Sequence, residues 1–475
     1  MNRATRLDSG PSPWRTELGA TLHLAAPLAA ANLLQMLVYA LDVIFVARLG
    51  EQALAASSLA ISLFGLMMWC FSGFTGACAP LIAAELGRRA HAVREVRRSV
   101  RMALWLAVGC GLAGMVVCMF GEAIMLATGQ DPVVSHRAGG FLGVLMFAMI
   151  PMILSNVLRT FVSALGRPFF ATAITAFAIL TNGLGNYALV FGHFGAPALG
   201  LEGSALSSII TGVITLAAYV IAIQRDQRLR RYHIFGRWWR PEWTRLKEIT
   251  LIGAPILLTI LAEAGLFSGA AFLMGLVGEA ELAGHTVALQ VAALAFQVPF
   301  GIGQAATIRV GYHFGAGDRA AIGRAGGVAL AVTIAFMAIP AALMLFAPRL
   351  VLTLYVDPYD PLNAAMVAFA VQYMVIAAAF QLFDGLQAVA NGALRGLQDT
   401  RVPMVIALFG YWVPGLGTSL WLGFRTPLEG QGVWIGLAVG LVIVAGALLW
   451  RWSQREQLGL LPNPDAESEK ALIAA

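Results

Sequence analysis

Long apolar blocks separated by short polar stretches dominate the chain. A helix crossing hydrocarbon needs about 20 mostly apolar residues, and reading by that rule predicts twelve spans. The first six run at about 18–47, 53–84, 102–126, 138–158, 168–191 and 203–224. The second six run at about 249–276, 282–308, 325–346, 364–394, 402–423 and 431–450. Several exceed the minimum length, which leaves room for tilts or kinks. The first apolar block follows a polar stretch, Met1 to Glu17, and outruns a signal-peptide core, so it reads as a permanent span.

The polar stretches fix the orientation. With the N-terminus and every second loop on one side, that side holds 27 of the 31 Arg and Lys residues. Arg88, Arg89, Arg94, Arg97, Arg98 and Arg101 follow span two, and eight more lie between Arg225 and Lys247. The opposite side keeps Arg48, Arg137, Arg349 and Arg425. Basic loops stay in the cytoplasm, so both termini are expected there. Omitting one helix would invert every later loop and scramble the bias. The linker after span six also carries Trp238, Trp239 and Trp243, an aromatic and basic stretch suited to lipid headgroups. The tail from Leu460 to Ala475 reads as disordered.

The second half repeats the first. At a shift of 228 residues Pro27 meets Pro255, Gly50 meets Gly278, Glu51 meets Glu279 and Gly87 meets Gly315. Leu201-Glu202-Gly203 meets Leu428-Glu429-Gly430 at a shift of 227. Each half has an even number of helices, so both enter from the same side. That is a parallel repeat about an axis along the membrane normal, with substrate sites expected between the halves near mid-bilayer. The expected fold is therefore all-α: twelve transmembrane helices in two six-helix bundles related by a pseudo-twofold axis. The expected units are an N-terminal lobe (1–224), a basic and aromatic cytoplasmic linker (225–248), a C-terminal lobe (249–452) and a cytoplasmic tail (453–475).

Composition agrees: 59% of the 475 residues are hydrophobic and 12% charged, with a mean hydropathy of +0.77. The net charge of +6 lies in short loops, not on one face of a soluble domain, which argues against nucleic acid. Cys70, Cys78, Cys110 and Cys118 fall in apolar segments without C-x-x-C spacing and read as buried thiols. Neither lysine has P-loop context, and H-E-x-x-H and G-x-S-x-G are absent, so an enzyme is not expected. No cofactor is expected either.

Ionisable residues inside a span are costly and mark function by default. Glu263 lies about 24 Å from either end of span seven at ~1.5 Å per residue. Asp384 lies roughly 16 Å from the inner end of span ten, and Asp42 about 9 Å from the outer end of span one. Two mid-depth carboxylates in one lobe are hard to explain as glue, because a packed apolar pair is usually no less stable. Carboxylates suit cation handling: a proton or Na⁺ and an organic cation can each neutralise the same site. Glu263 and Asp384 are thus candidate Na⁺ ligands. Neutral oxygens could assist; Asn182 and Asn186, one turn apart on span five, share a face. Interhelical hydrogen bonding explains such an Asn pair equally well. Gln290 is a weaker pore-lining candidate. His285 reads as interfacial or hydrogen-bonded, and Arg309 as snorkelling to the interface.

Four segments, in this order and spacing, resemble the multidrug and toxic compound extrusion (MATE) family in its NorM-like branch. They are LDVIFVARLGEQALAASSLA from Leu41, LAEAGLFSGAAFLMGLVG from Leu261, GHTVALQV from Gly284 and FQLFDGLQAVANGALRGLQDTRVPM from Phe380. The resemblance runs roughly from Leu18 to Trp452. It implies two six-helix lobes in a V and drug export driven by inward Na⁺ or H⁺. It implies also that Glu263 and Asp384 couple the cation in the second lobe, and that Asp42, Asn182 and Asn186 form a first-lobe polar cluster. Some members carry a Tyr one turn before the tenth-span Asp; this chain has Phe380, which removes one oxygen ligand.

The expectation is a monomeric antiporter in a bacterial-type inner membrane, exporting cationic or amphipathic drugs. A lipid-linked sugar flippase would share the architecture but should line its cavity with Arg or Lys, whereas the mid-span charges read here are acidic. An ion channel is disfavoured by the lack of a recognisable filter.

Overall fold

The computed structural model describes residues 12–88, 92–236 and 238–462; Arg89, Arg237, Lys470 and most of the expected disordered tail lie outside them. Among the described residues there is no strand, and twelve helices are long and apolar enough to span a bilayer. The first six are α1 (Pro13–Ala47), α2 (Glu51–Arg88), α3 (Val93–Met119), α4 (Pro132–Ala164), α5 (Phe169–Phe191) and α6 (Leu201–Arg225). The second six are α7 (Trp243–Val277), α8 (Glu279–Ala316), α9 (Arg319–Phe346), α10 (Pro361–Gly396), α11 (Arg401–Arg425) and α12 (Gly430–Ser453). Each overlaps one predicted span, but the third stops at Met119, short of the expected 126, and a separate short helix (Gly121–Ala127) follows it.

Local chemistry sets the ends. Asp131 caps α4, its Oδ1 accepting from the Val133 and Val134 amides at 2.9 and 3.0 Å, with Pro132 in the first turn where no amide is needed. Gly317 closes α8 at φ 73°, a left-handed conformation natural to glycine. Within α11, Pro414 cannot donate to the preceding turn, and Tyr411–Gly415 widens into a π-helical turn.

The repeat becomes a pseudo-twofold axis, visible in reciprocal contacts. A methyl group on Gly87 of α2 would run into the Tyr312 carbonyl of α8, and one on Gly315 of α8 into the Ala84 carbonyl of α2. A shift of 228 converts one contact into the other, as a twofold requires. The same shift relates Gly73, whose missing side chain admits Ile260 of α7, to Gly301, which admits Ala29 of α1. The helix pairs α1–α8 and α7–α2 thus join the lobes from mid-span to the ends beside the linker, hereafter the linker side. The four cysteines are buried and unpaired.

Two ion-pair clusters close the linker side, and they too are related by the repeat. Glu17, at the start of α1, receives Nε and a terminal NH2 of Arg309 on α8 at 2.8 and 2.7 Å, with His313 Nε2 at 3.2 Å. Arg245, at the start of α7, lies 3.1 Å from Glu85 at the end of α2. Glu95 and Glu248 surround Arg245 at 3.0 and 2.8 Å. Positions 17 and 245 correspond under the shift, as do 85 and 313, but with the charges exchanged. Arg309 is therefore held in an interlobe ion pair instead of snorkelling freely.

The linker lies along α3. Its carbonyls at Tyr232 and Trp238 accept from Arg97 (2.7 Å) and Trp105 (2.9 Å), and Glu242 pairs with Arg98 and Arg101. Trp239 and Trp243 are exposed, as headgroup anchors would be.

Candidate functional site

Each lobe buries a polar cluster. In the first, Asp42 on α1 faces α5 and α6. Its Oδ1 accepts from Asn182 and Asn186 at 3.0 and 2.8 Å, and its Oδ2 accepts from the Ser208 hydroxyl at 3.3 Å. Asn186 also donates to Asn182 Oδ1, and Ser207 donates to the Asn182 carbonyl, both at 3.1 Å. Asn182 and Asn186 share one face of α5 because they are one turn apart. The structure therefore joins all three predicted residues and adds Ser207 and Ser208 from α6. Asn186 Oδ1 accepts no hydrogen bond, leaving one oxygen in an otherwise saturated cluster. The sequence offered a signal for the serines: they sit one turn beyond the repeated Leu-Glu-Gly.

The second-lobe cluster is less saturated. Glu263 of α7 accepts from Gln387 Nε2 of α10 at 3.3 Å. Asp384, one turn earlier on α10, is 5% exposed, and its Oδ1 has no hydrogen-bond partner. The two carboxyl groups lie within Coulombic reach of each other, as does Arg395 of Glu263. The hydroxyl of Tyr411, fully buried, faces the same carboxylates beside Gln387 and also lacks a partner. Buried polar atoms are nearly always paired, so two unsatisfied oxygens in one place mark a binding site or a strain reservoir. Oxygen is the donor that hard cations require.

Tyr411 changes the reading of Phe380. That ring is buried against Trp434, centroids 5.5 Å apart, so its side chain belongs to the aromatic core of the lobe. The oxygen missing there is offset by one from α11, where the π-helical turn begins. Gln387 could have been found in the sequence, since it follows Asp384 by three residues on the same helical face. Tyr411 could not, because a hydroxyl in an apolar span shows no preferred face.

Other predicted residues lie elsewhere. Gln290 is exposed and belongs to neither cluster; its backbone carbonyl accepts from Tyr355 at 3.3 Å. His285 makes no hydrogen bond: it is buried edge-on to Trp434 with both ring nitrogens unpartnered. Arg159, inside α4, is a charge the acidic reading of the spans omitted. It donates to Asn32, whose amide reaches across the lobe boundary to the Gln297 carbonyl at 3.4 Å. Under the 228-residue shift, Asp384 and Gln387 correspond to Asn156 and Arg159, so the first lobe has no acidic equivalent of this pocket.

Twelve spans in two lobes about a twofold axis, with carboxylates buried inside each lobe, define a membrane transporter. The MatE family model matches residues 27–188 and 255–420, once per lobe with starting points separated by the same shift, and the chain belongs to that family. It is 42% identical over 445 residues to a "Probable multidrug resistance protein NorM" of Mesorhizobium japonicum, covering 94% of this chain and 95% of the relative. It is 36% identical over 449 residues to the "Multidrug resistance protein NorM" of Burkholderia vietnamiensis, covering 94% and 96%. Among solved structures, the fold matches the eukaryotic MATE transporter AtDTX14 with a TM-score of 0.80 at 20% identity, over 96% of this chain and 98% of that one. An outward-facing multidrug resistance MATE family transporter matches with a TM-score of 0.82 at 20% identity, over 93% and 97%.

Proposed function

We propose that this chain is a multidrug efflux antiporter, exporting cationic or amphipathic organic compounds in exchange for inward Na⁺ or H⁺. The observation that carries the proposal is the second-lobe cluster, where Glu263 and Asp384 are both buried and an oxygen of Asp384 is unpartnered. Leaving charge in hydrocarbon is repaid if a cation binds there. Glu263 and Asp384 hold the coupling ion, with Gln387 and Tyr411 completing its oxygen shell. Asp42, Asn182 and Asn186 form the first-lobe polar site, and Gln290 serves at most as lining. The names of the relatives, multidrug resistance proteins, support the substrate class.

The excess of Arg and Lys in alternate loops supports a reading with both termini and the linker in the cytoplasm of a bacterial-type inner membrane. Residues 1–224 and 249–452 move as two lobes within one monomer, joined by 225–248 and followed by the tail 453–475. Closure of the linker side by the two ion-pair clusters then corresponds to a state sealed toward the cytoplasm, and export alternates it with the reverse.

Purified protein in proteoliposomes tests the proposal, with a Na⁺ gradient and a pH gradient imposed separately. One gradient should drive ethidium transport, and Glu263→Gln or Asp384→Asn should abolish it while leaving the protein monodisperse. Gradient-driven transport by either variant at the wild-type rate defeats the assignment.

A further inference from the structure

A cavity of about 460 Å³ opens on the linker side, outside both polar clusters. Its walls come from all three parts of the chain. Ala20, His23 and Leu24 of α1 and Leu86 of α2 belong to the first lobe, Arg309 and Tyr312 of α8 to the second, and Arg228, Arg231 and Tyr232 to the linker. The volume is that of a small-molecule pocket.

The charge lining it is of one sign. Three arginines are among its lining residues, and no carboxylate is. Arg309 is already engaged by Glu17. Nearby Arg167 is likewise engaged, by Asp226 at 3.4 Å. Arg228 and Arg231 are different: among the described residues neither forms an ion pair, and the Arg231 guanidinium lies over the ring of Tyr232, 5.9 Å from its centroid. Basic loops do collect unpaired arginines at a membrane surface. These two, however, rim a concavity whose floor is apolar, from Leu24, Leu86 and Ile308. A cationic rim over an apolar floor suits an anionic headgroup attached to a hydrophobic body. Basic pockets between spanning helices on the cytoplasmic side take acidic lipids by this chemistry, and arginine is the side chain best matched to phosphate oxygens.

We propose that this cavity binds a phosphate ester, with Arg228 and Arg231 as its principal contacts and the headgroup of an anionic phospholipid as its source. A ligand there touches both lobes and the linker, so it stabilises the arrangement in which those three walls meet.

Native mass spectrometry of the full chain, extracted from bilayers of phosphatidylcholine and phosphatidylglycerol, tests the inference. Wild-type protein should retain phosphatidylglycerol preferentially. Each arginine near an anionic lipid contributes a factor of about five, so Arg228→Gln with Arg231→Gln should weaken that retention roughly 30-fold. The charge-matched control, Arg225→Gln with Arg240→Gln, removes two linker arginines that do not line the cavity and should retain the lipid. If the double variant does not fold, Arg231→Gln alone should show the single factor. Glycerol 3-phosphate added to lipid-free protein forms the second arm. Binding with the same dependence on Arg228 and Arg231, without selective lipid retention, upholds the phosphate site and assigns its ligand to the soluble pool. Equal retention in the double variant and the control overturns the proposal, as does a wild-type protein that holds neither probe.

Discussion

Replacing Glu17 by Gln should loosen the linker side without touching either buried polar cluster. The Glu17 side chain is 7% exposed and that of Arg309 22% exposed. The carboxylate takes two guanidinium hydrogen bonds, at 2.8 and 2.7 Å. Removing one partner of a buried pair costs about 3–5 kcal/mol. Arg309 borders the linker-side cavity and can be partly rehydrated once released, so the lower figure for a charge-assisted hydrogen bond, about 2 kcal/mol, is the better guide. That energy stabilises only the state in which α1 and α8 meet here, so its loss shifts the equilibrium between closed and open linker sides by about 30-fold. A population closed at roughly 99:1 would fall to about 3:1. Spin labels on Phe169 and Val402, exposed residues near the linker-side ends of α5 and α11, read the change by pulsed electron resonance. A longer-distance component should appear in the variant, and exchanging the charges (Glu17→Arg with Arg309→Glu) should reduce it. An unchanged distance distribution in Glu17→Gln would refute the idea that this pair holds the lobes together.

Tyr411→Phe removes one buried hydroxyl and keeps the ring, so it should raise the coupling-ion concentration for half-maximal transport about 5–30-fold with little change in thermal stability. A titration of the driving ion in proteoliposomes measures it. Asp42→Asn leaves three donors facing a side chain that cannot accept from all of them; it should destabilise the first lobe by about 1–3 kcal/mol, seen as a lower thermal midpoint. Gly315→Val should prevent closure of the linker side, because its side chain would enter the Ala84 carbonyl. Cysteines at Ala84 and Ala316 that cross-link in a wild-type background should then fail to do so.

The twelve spans were legible because hydrocarbon demands length and apolarity, both properties of contiguous sequence. The repeat was legible through Pro27 and Pro255 and through Gly87 and Gly315, whose backbone roles cannot be filled by other residues. Asp42, Asn182 and Asn186 could be grouped by depth, since depth follows from counting residues along a helix. The partners of Glu17 could not, as they lie 292 and 296 residues away and depend on how the lobes meet. Depth counting placed Glu17 in the polar leader and Arg309 at an interface, each plausible alone and neither naming the other. Tyr411 escaped for a different reason: its direction is set by the π-helical turn around Pro414, an irregularity that regular helical spacing does not capture.

The exchange of charge between the two linker-side clusters has a consequence for assembly. Were two copies of the first lobe to associate as its two halves do here, Glu17 would confront Glu85. Two copies of the second would set Arg245 against Arg309 and His313. Either homodimer would bury like charges, so each half accepts the other and rejects its own twin. Halves alike in fold have thereby ceased to be interchangeable at a handful of positions.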